Sequence, residues 1–154
     1  MKSIYMNKIF IDTDVILDVL LSREPYQKAA TFIFQQIELK NVLAYTSPIV
    51  MANIHYIISK ATSHTVSLEK IKKLHQLLHI STIDQEIMDL VVSDEKIKDY
   101  EDLIQYYSAI RAGTTFLITR NISDYPKTKK IKIIDSESFS NLLRAQLENE
   151  ERPE

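Results

Sequence analysis

Cysteine is absent from this chain of 154 residues, and Gly113 is its single glycine. Without cysteine the protein has neither a disulfide framework nor a thiolate metal site, which fits a reducing cytoplasm. A single glycine excludes the phosphate-binding loops of the GxGxxG and GxxxxGK[ST] types, because each needs more than one. The usual nucleotide-cofactor enzymes are therefore disfavoured.

Long hydrophobic runs and a strong charge excess are also missing. No apolar run approaches the length of a membrane span, and the N-terminal MKSIYMNK lacks the apolar core of a signal peptide, so we expect a cytoplasmic protein with no membrane contact. A net charge of −2 means that nucleic-acid binding would rely on local basic patches. The length predicts one domain over residues 1–147, followed by a polar C-terminal tail over 148–154.

Apolar runs that are typical of buried strands alternate with helical patterns along the whole chain. This alternation predicts an α/β fold, a three-layer sandwich with a central parallel sheet of four to five strands covered on both faces. Helix starts are predicted at Ser47, Ser67, Asp84, Asp99 and Asp135, and a helix end at Gly113. The predicted strands are 8–11, 41–46, 80–83, 115–119 and 131–135.

Polar residues follow several of these strands at the point where each strand ends. Asp12 follows the first strand and Ser47 the second, whereas Asn121 and Asp124 follow the fourth. Asp102 lies in the first turn of the helix before the fourth strand, and that turn belongs to the same edge of the sheet. Ligands of open parallel sheets bind at this edge, so we expect the three carboxylates to meet there.

Three converging carboxylates repel one another, so either a bound cation keeps them ionised or their pKa values rise. Oxygen ligands of this kind suit Mg²⁺ or Mn²⁺, and the natural reaction is phosphodiester hydrolysis by a metal-activated water. Local roles also exist, since Asp12 can cap a helix, Asp102 can complete a capping box with Asp99, and Asp124 can start a turn before Pro126. The common location of all three favours the functional interpretation.

Four segments, IFIDTDVILDVLL, TSPIVMANIHYII, DYEDLIQYYSAIRAG and TFLITRNISDY, together resemble a PIN domain of the kind found in VapC-type toxins. The resemblance extends from about Lys8 to Phe139. It implies a metal-dependent endoribonuclease, the toxin of a toxin–antitoxin pair, with an RNA substrate, an antitoxin partner and a homodimeric state. Asp12, Asp102 and Asp124 match acidic metal ligands of the family, and Asn121 matches the polar residue of its last motif.

Two positions depart from the family pattern. Asn53 stands where the family commonly has glutamate, and asparagine offers a carbonyl oxygen but neither charge nor a base. Asp14 stands where asparagine or serine is usual. These departures leave open a catalytically weakened PIN-like module that binds RNA or protein. The pair Asp12 and Asp14 also resembles the first motif of haloacid-dehalogenase-like phosphatases, but the later motifs of that family are not matched.

Supporting or substrate-binding roles are assigned to a second set of residues around the predicted edge. The basic run after Asp124 suits RNA phosphates, although it also suits a solvated sheet edge. Glu101 is expected to be a solvated neighbour of Asp102, Asp18 a surface acid, and the His75–His79 pair an exposed helix face. The supporting set is Asp14, Ser47, Asn53, Thr119, Arg120 and Lys127.

Overall fold

The computed structural model describes residues 7–95 and 99–152. Along the chain, two helices separate each of the first three strands from the next, and a 3₁₀ turn lies between the fourth and fifth strands. The strands are β1 (Asn7–Ile11), β2 (Val42–Thr46), β3 (His79–Ile80), β4 (Phe116–Ile118) and β5 (Lys132–Ile134). The helices are α1 (Thr13–Leu20), α2 (Gln27–Glu38), α3 (Pro48–Ala61), α4 (His64–Leu77), α5 (Gln85–Ser93), α6 (Tyr100–Arg111) and α7 (Ser136–Glu151).

All five strands form one parallel sheet in the order β3-β2-β1-β4-β5, which confirms the predicted fold class. Successive side chains of β1 point to opposite faces. Ile9 and Ile11 pack in a core with α1, α2, α3, α4 and α7, whereas Phe10 packs in a second core with α5 and α6. Helices therefore cover both faces of the sheet, and β1 lies at its centre.

The predicted caps mostly stand where the sequence placed them. Ser47, Asp84, Asp99 and Asp135 each accept a backbone N–H in the first turn of the following helix. Gly113 follows α6 with φ +72°, a left-handed conformation that costs little only without a Cβ. Ser47, Asp84 and Asp135 follow β2, β3 and β5, so the helices that they cap begin at the carboxyl edge of the sheet.

The prediction that Ser67 caps a helix is wrong. Helix α4 begins one turn earlier, because the Ser63 hydroxyl accepts the Val66 N–H at 3.2 Å. Ser67 is fully buried, and its hydroxyl donates to the His55 carbonyl at 3.1 Å. It joins α4 to α3 instead of starting α4.

The C-terminal helix continues through Glu151, so residues 148–151 of the predicted tail are its exposed last turn. The initial six residues of the predicted domain and the final two of the tail lie outside the described residues. None of the described helices combines the length and the apolar character needed to cross a bilayer.

Candidate active site

Asp12 is the most enclosed of the predicted site residues. It directly follows β1, and only 6% of its surface is exposed. One carboxylate oxygen accepts the Thr13 N–H at 2.7 Å. The other accepts both the Thr119 hydroxyl and the Tyr125 hydroxyl, each at 2.9 Å. Burial raises the pKa of Asp12, and these three hydrogen bonds oppose that rise by stabilising the ionised form.

Tyr125 is a site residue that the sequence analysis did not select. Its ring is buried, and its hydroxyl connects the loop after β4 to Asp12, a residue 113 positions earlier. Burial raises the pKa of Tyr125, as do the negative charges of Asp12 and Asp102, so the hydroxyl remains protonated and donates. The signal was present in the sequence as the aromatic residue that closes the TRNISDY motif.

Asp102 lies in the first turn of α6, where its backbone N–H donates to Asp99 at 2.9 Å. This bond is the N-cap half of the predicted capping box. The Asp102 side chain is partly buried, and burial raises its pKa to about 7. Nearby carboxylates contribute to this value after burial, namely Asp12, Asp99, Asp124 and Glu101 in decreasing order. Asp102 thus lies in a strongly negative environment.

Glu101 is a solvated neighbour of Asp102, as expected, and belongs to the same negative environment. Although its side chain is largely exposed, it accepts the Asn53 amide N–H at 2.6 Å, a contact that joins α6 to α3. Burial raises the pKa of Glu101, as do the charges of Asp12 and Asp99. The bond places a carboxylate beside Asn53, the position where the family commonly has one of its own.

Asn121 and Asp124 occupy the loop after β4. Asp124 is exposed at the end of a 3₁₀ turn, and its backbone N–H donates to the Asn121 carbonyl at 3.0 Å. The Asn121 backbone N–H donates to the Thr119 hydroxyl at 3.1 Å, and its amide donates to Asp14 at 3.3 Å. Asn121 therefore connects the Asp12 environment with a second charged group.

This second group consists of Asp14, Asp18, Arg23, Arg120 and Tyr26. Asp14 pairs with Arg23 at 3.5 Å and with Arg120 at 3.6 Å. Arg120 also pairs with Asp18 at 3.3 Å, and its guanidinium lies 4.2 Å from the Tyr26 ring centroid. Asp18 is fully buried, so its assignment as a surface acid is wrong, and burial raises its pKa against the opposing charges of the two arginines. Arg120 and Asp14 therefore contact each other and other members of this second group.

The remaining predicted residues have different surroundings. Ser47 is fully buried and caps α3 through the Val50 N–H at 3.1 Å, which gives it a structural role. Lys127 lines a cleft beside Asp124. Among residues 7–95 and 99–152, no three His, Cys, Asp or Glu side chains form a ready-made coordination shell for a metal ion.

Comparison with known proteins gives concordant results. Residues 8–123 match the family model described as PIN domain. The chain is similar to Ribonuclease VapC1 of Aquifex aeolicus, with 24% identity over 136 residues that cover 86% of this chain and 92% of the relative. It is also similar to the structure of VapBC-1 from nontypeable Haemophilus influenzae, with a TM-score of 0.62, 16% identity and coverage of 84% of this chain and 98% of the other. For VapBC2 from Rickettsia felis bound to a promoter DNA fragment, the TM-score is 0.59 with 17% identity and coverage of 83% and 98%.

Proposed function

The chain belongs to the PIN domain family, and from this premise we propose that it is a metal-dependent endoribonuclease and the toxin of a toxin–antitoxin pair. The observation that carries the proposal is Asp102, a partly buried carboxylate surrounded by like charges. Such an arrangement costs stability unless a cation is bound. The similarity to Ribonuclease VapC1 supports RNA as the substrate, and the VapBC structures support an antitoxin partner.

The residues present fit a divalent cation of the Mg²⁺ or Mn²⁺ type. The donors are carboxylate oxygens, and a bound cation would reduce the repulsion between their negative charges. Asp12, Asp102 and Asp124 would hold the ion. Mg²⁺ usually keeps several waters and binds only one or two carboxylates directly. When bound, the ion supplies a Lewis acid that activates water and stabilises charge on a phosphoryl oxygen.

The protein's own residues fix the geometry around that position. The Thr119 and Tyr125 hydroxyls hold one oxygen of Asp12, so its carboxylate has one orientation at the end of β1. The Asn53 amide holds Glu101 in the same way from the side of α3. Asn121 is anchored to Thr119 through its backbone, and its side-chain amide donates to Asp14.

Cleavage of an unstructured RNA by the purified chain tests the proposed function. We expect cleavage with Mg²⁺ or Mn²⁺, none in excess EDTA, and recovery when Mn²⁺ is returned. The Asp102→Asn variant, purified in the same way, controls for contaminating nucleases. Cleavage that persists in EDTA, or that is equal in the variant, contradicts the proposal.

A PIN-like binding module is the second candidate, and the observation in its favour is Asn53, whose amide is a neutral donor. This alternative predicts that RNA binds in saturating Mn²⁺ without being cleaved. A phosphatase that uses Asp12 and Asp14 is disfavoured, because Asp14 forms ion pairs with Arg23 and Arg120 and is poorly placed to act as a free acid. The phosphatase alternative predicts that the chain hydrolyses small phosphomonoesters and that Asp14→Asn loses this activity.

Glu101 is expected to strengthen cation binding through its charge. Glu101→Gln keeps an oxygen that can accept from Asn53 but removes the negative charge, so we expect Mn²⁺ to bind about 3–10-fold more weakly. Calorimetric titration of the metal-free protein with Mn²⁺ measures this. Glu148→Gln, at an exposed position of α7, is the matched control and should leave the affinity unchanged. Equal affinities for Glu101→Gln and the parent chain would show that Glu101 is only a surface residue.

The cytoplasmic location, the homodimer and the antitoxin are further parts of this proposal. Co-expression with the product of a neighbouring gene, followed by size-exclusion chromatography with light scattering, tests the partner and the oligomeric state together. A stable complex that suppresses RNA cleavage supports the toxin role.

A further inference from the structure

A cleft of about 620 Å³ lies beside Asp124, between the start of α6 and the segment from residue 122 to β5. Its volume falls within the range of about 300–1,000 Å³ that is typical of sites for small ligands. Acidic, basic and aliphatic side chains line it together. The ones that matter here are Asp99, Asp124, Lys127, Lys132, Ile122 and Ile133.

The two lysines of the cleft carry charge that the described structure does not neutralise. Lys127 and Lys132 are exposed, and neither forms an ion pair with a carboxylate of residues 7–95 or 99–152. Lys132 lies on β5, an edge strand where lysine also discourages aggregation. Lys127 precedes the strand, so the edge alone does not explain it. Both ammonium groups are available to an anionic ligand.

The aliphatic part of the cleft includes an apolar side chain that is not needed by the core. Ile122 is 43% exposed and belongs to neither core cluster of the described residues. Ile133, which is partly buried, and Ile131, which is almost fully buried, extend this apolar surface. An apolar wall beside unpaired lysines suits a ligand that combines a flat apolar face with negative charge. A nucleotide has both properties.

We propose that this cleft binds a nucleotide of single-stranded RNA next to the scissile phosphodiester, with its base against Ile122 and Ile133 and flanking phosphates on Lys127 and Lys132. The inference rests on the proposed ribonuclease function and adds a substrate subsite to it. Asp124 lines the cleft and also acts on Asp102 through its charge, so the cleft adjoins the carboxylates of the candidate active site. The base must be unstacked to reach the wall, so duplex RNA is excluded.

The lysines are tested by comparing two double variants of the same loop region. Lys127→Ala/Lys132→Ala removes the cleft charges, whereas Lys129→Ala/Lys130→Ala removes equal charge from exposed neighbours outside the cleft lining. Binding of a fluorescent unstructured RNA to the full chain is measured by anisotropy in EDTA over a range of salt. We expect the cleft variant to weaken binding about tenfold. The slope of log binding constant against log salt concentration should become shallower by about 1.4, because each of the two lost phosphate contacts contributes about 0.7 on a single strand. The control should change affinity about twofold or less.

The apolar wall is tested by Ile122→Ser, with Val92→Ser as a control at another exposed hydrophobic position. We expect weaker binding for Ile122→Ser alone, and in Mn²⁺ a higher KM with kcat nearly unchanged. If both double variants weaken binding equally, or if neither does, the cleft is not the subsite. Absence of cleavage by the parent chain would refute the ribonuclease function, whereas intact cleavage with unaffected cleft variants would refute the subsite alone. Equal competition by duplex RNA would also refute it.

Discussion

Replacing Asp102 with asparagine is expected to lower metal-dependent RNA cleavage by about 10²-fold or more, since several kcal/mol of charge stabilisation would be lost. The same substitution should stabilise the metal-free protein. At neutral and higher pH, Asp102 must ionise while partly buried near Asp12, Asp99, Asp124 and Glu101. Asparagine of the same shape carries no charge and avoids this repulsion. Loss of activity with a gain in stability is typical of a residue kept for function.

The stability gained by Asp102→Asn should depend on pH. The pKa of Asp102 is about 7 in the folded chain, above its ordinary value of 3.8, so the folded state binds more protons between these values. Its contribution to stability is therefore present at low pH and is lost as pH rises toward and through 7. Asp102→Asn should raise Tm in EDTA by about 2–4 °C at pH 8, corresponding to about 1 kcal/mol, and by less at pH 5.

Thermal denaturation at the two pH values, together with the cleavage assay, measures both effects. Asp89→Asn is a matched control, because Asp89 is an exposed acid of α5 that accepts from Gln85. It should change neither cleavage nor the pH dependence of Tm. An Asp102→Asn protein that cleaves RNA normally, or that melts lower at pH 8, would contradict the proposed role.

Replacing Tyr125 with phenylalanine is expected to lower kcat/KM by about 10–100-fold, the usual effect of removing a group that orients a ligand residue. The Tyr125 hydroxyl donates to Asp12 at 2.9 Å and favours its ionised form. Without that donor the already raised pKa of Asp12 rises further. Cleavage needs the ionised carboxylate, so the acid limb of the pH–rate profile should move to higher pH.

The matched control is Tyr107→Phe, which also removes a tyrosine hydroxyl that donates to a carboxylate, that of Asp94 at 2.8 Å. Burial and, after it, the bond with Asp94 raise the pKa of Tyr107 to about 12. Tyr107→Phe should lose about 1–2 kcal/mol of stability without moving the acid limb. If both variants shift the profile equally, or if Tyr125→Phe leaves it in place, Tyr125 does not act through Asp12.

Features that depend on neighbours in sequence were predictable. Ser47, Asp84 and Asp99 each cap a helix through an N–H three residues later, so a short motif contains both partners. Ser67 shows the limit of such reasoning. Ser63 offers the same hydroxyl one turn earlier, and only packing against α3 decides which serine caps α4 and which is buried.

Contacts between distant segments were harder to predict. Helical spacing places Glu101 about 100° from Asp102, which indicates solvent if α6 is considered alone. Asn53, 48 residues earlier on α3, lies within reach because the sheet brings both helix starts to one edge. Asp18 was wrongly predicted to be a surface acid for a similar reason. Its ion-pair partner, Arg120, comes from the distant loop after β4.

By itself, the sequence determined the order of strands and helices, the parallel sheet and the identity of the acidic residues at its carboxyl edge. These depend on hydrophobic periodicity and on caps, which are local properties of the chain. Only the tertiary structure decided that Tyr125 holds Asp12, that Glu101 meets Asn53 and that Asp18 is buried beneath Arg120. Hydrogen bonds and ion pairs of this kind act over a few ångströms, and the fold alone determines which distant side chains come that close.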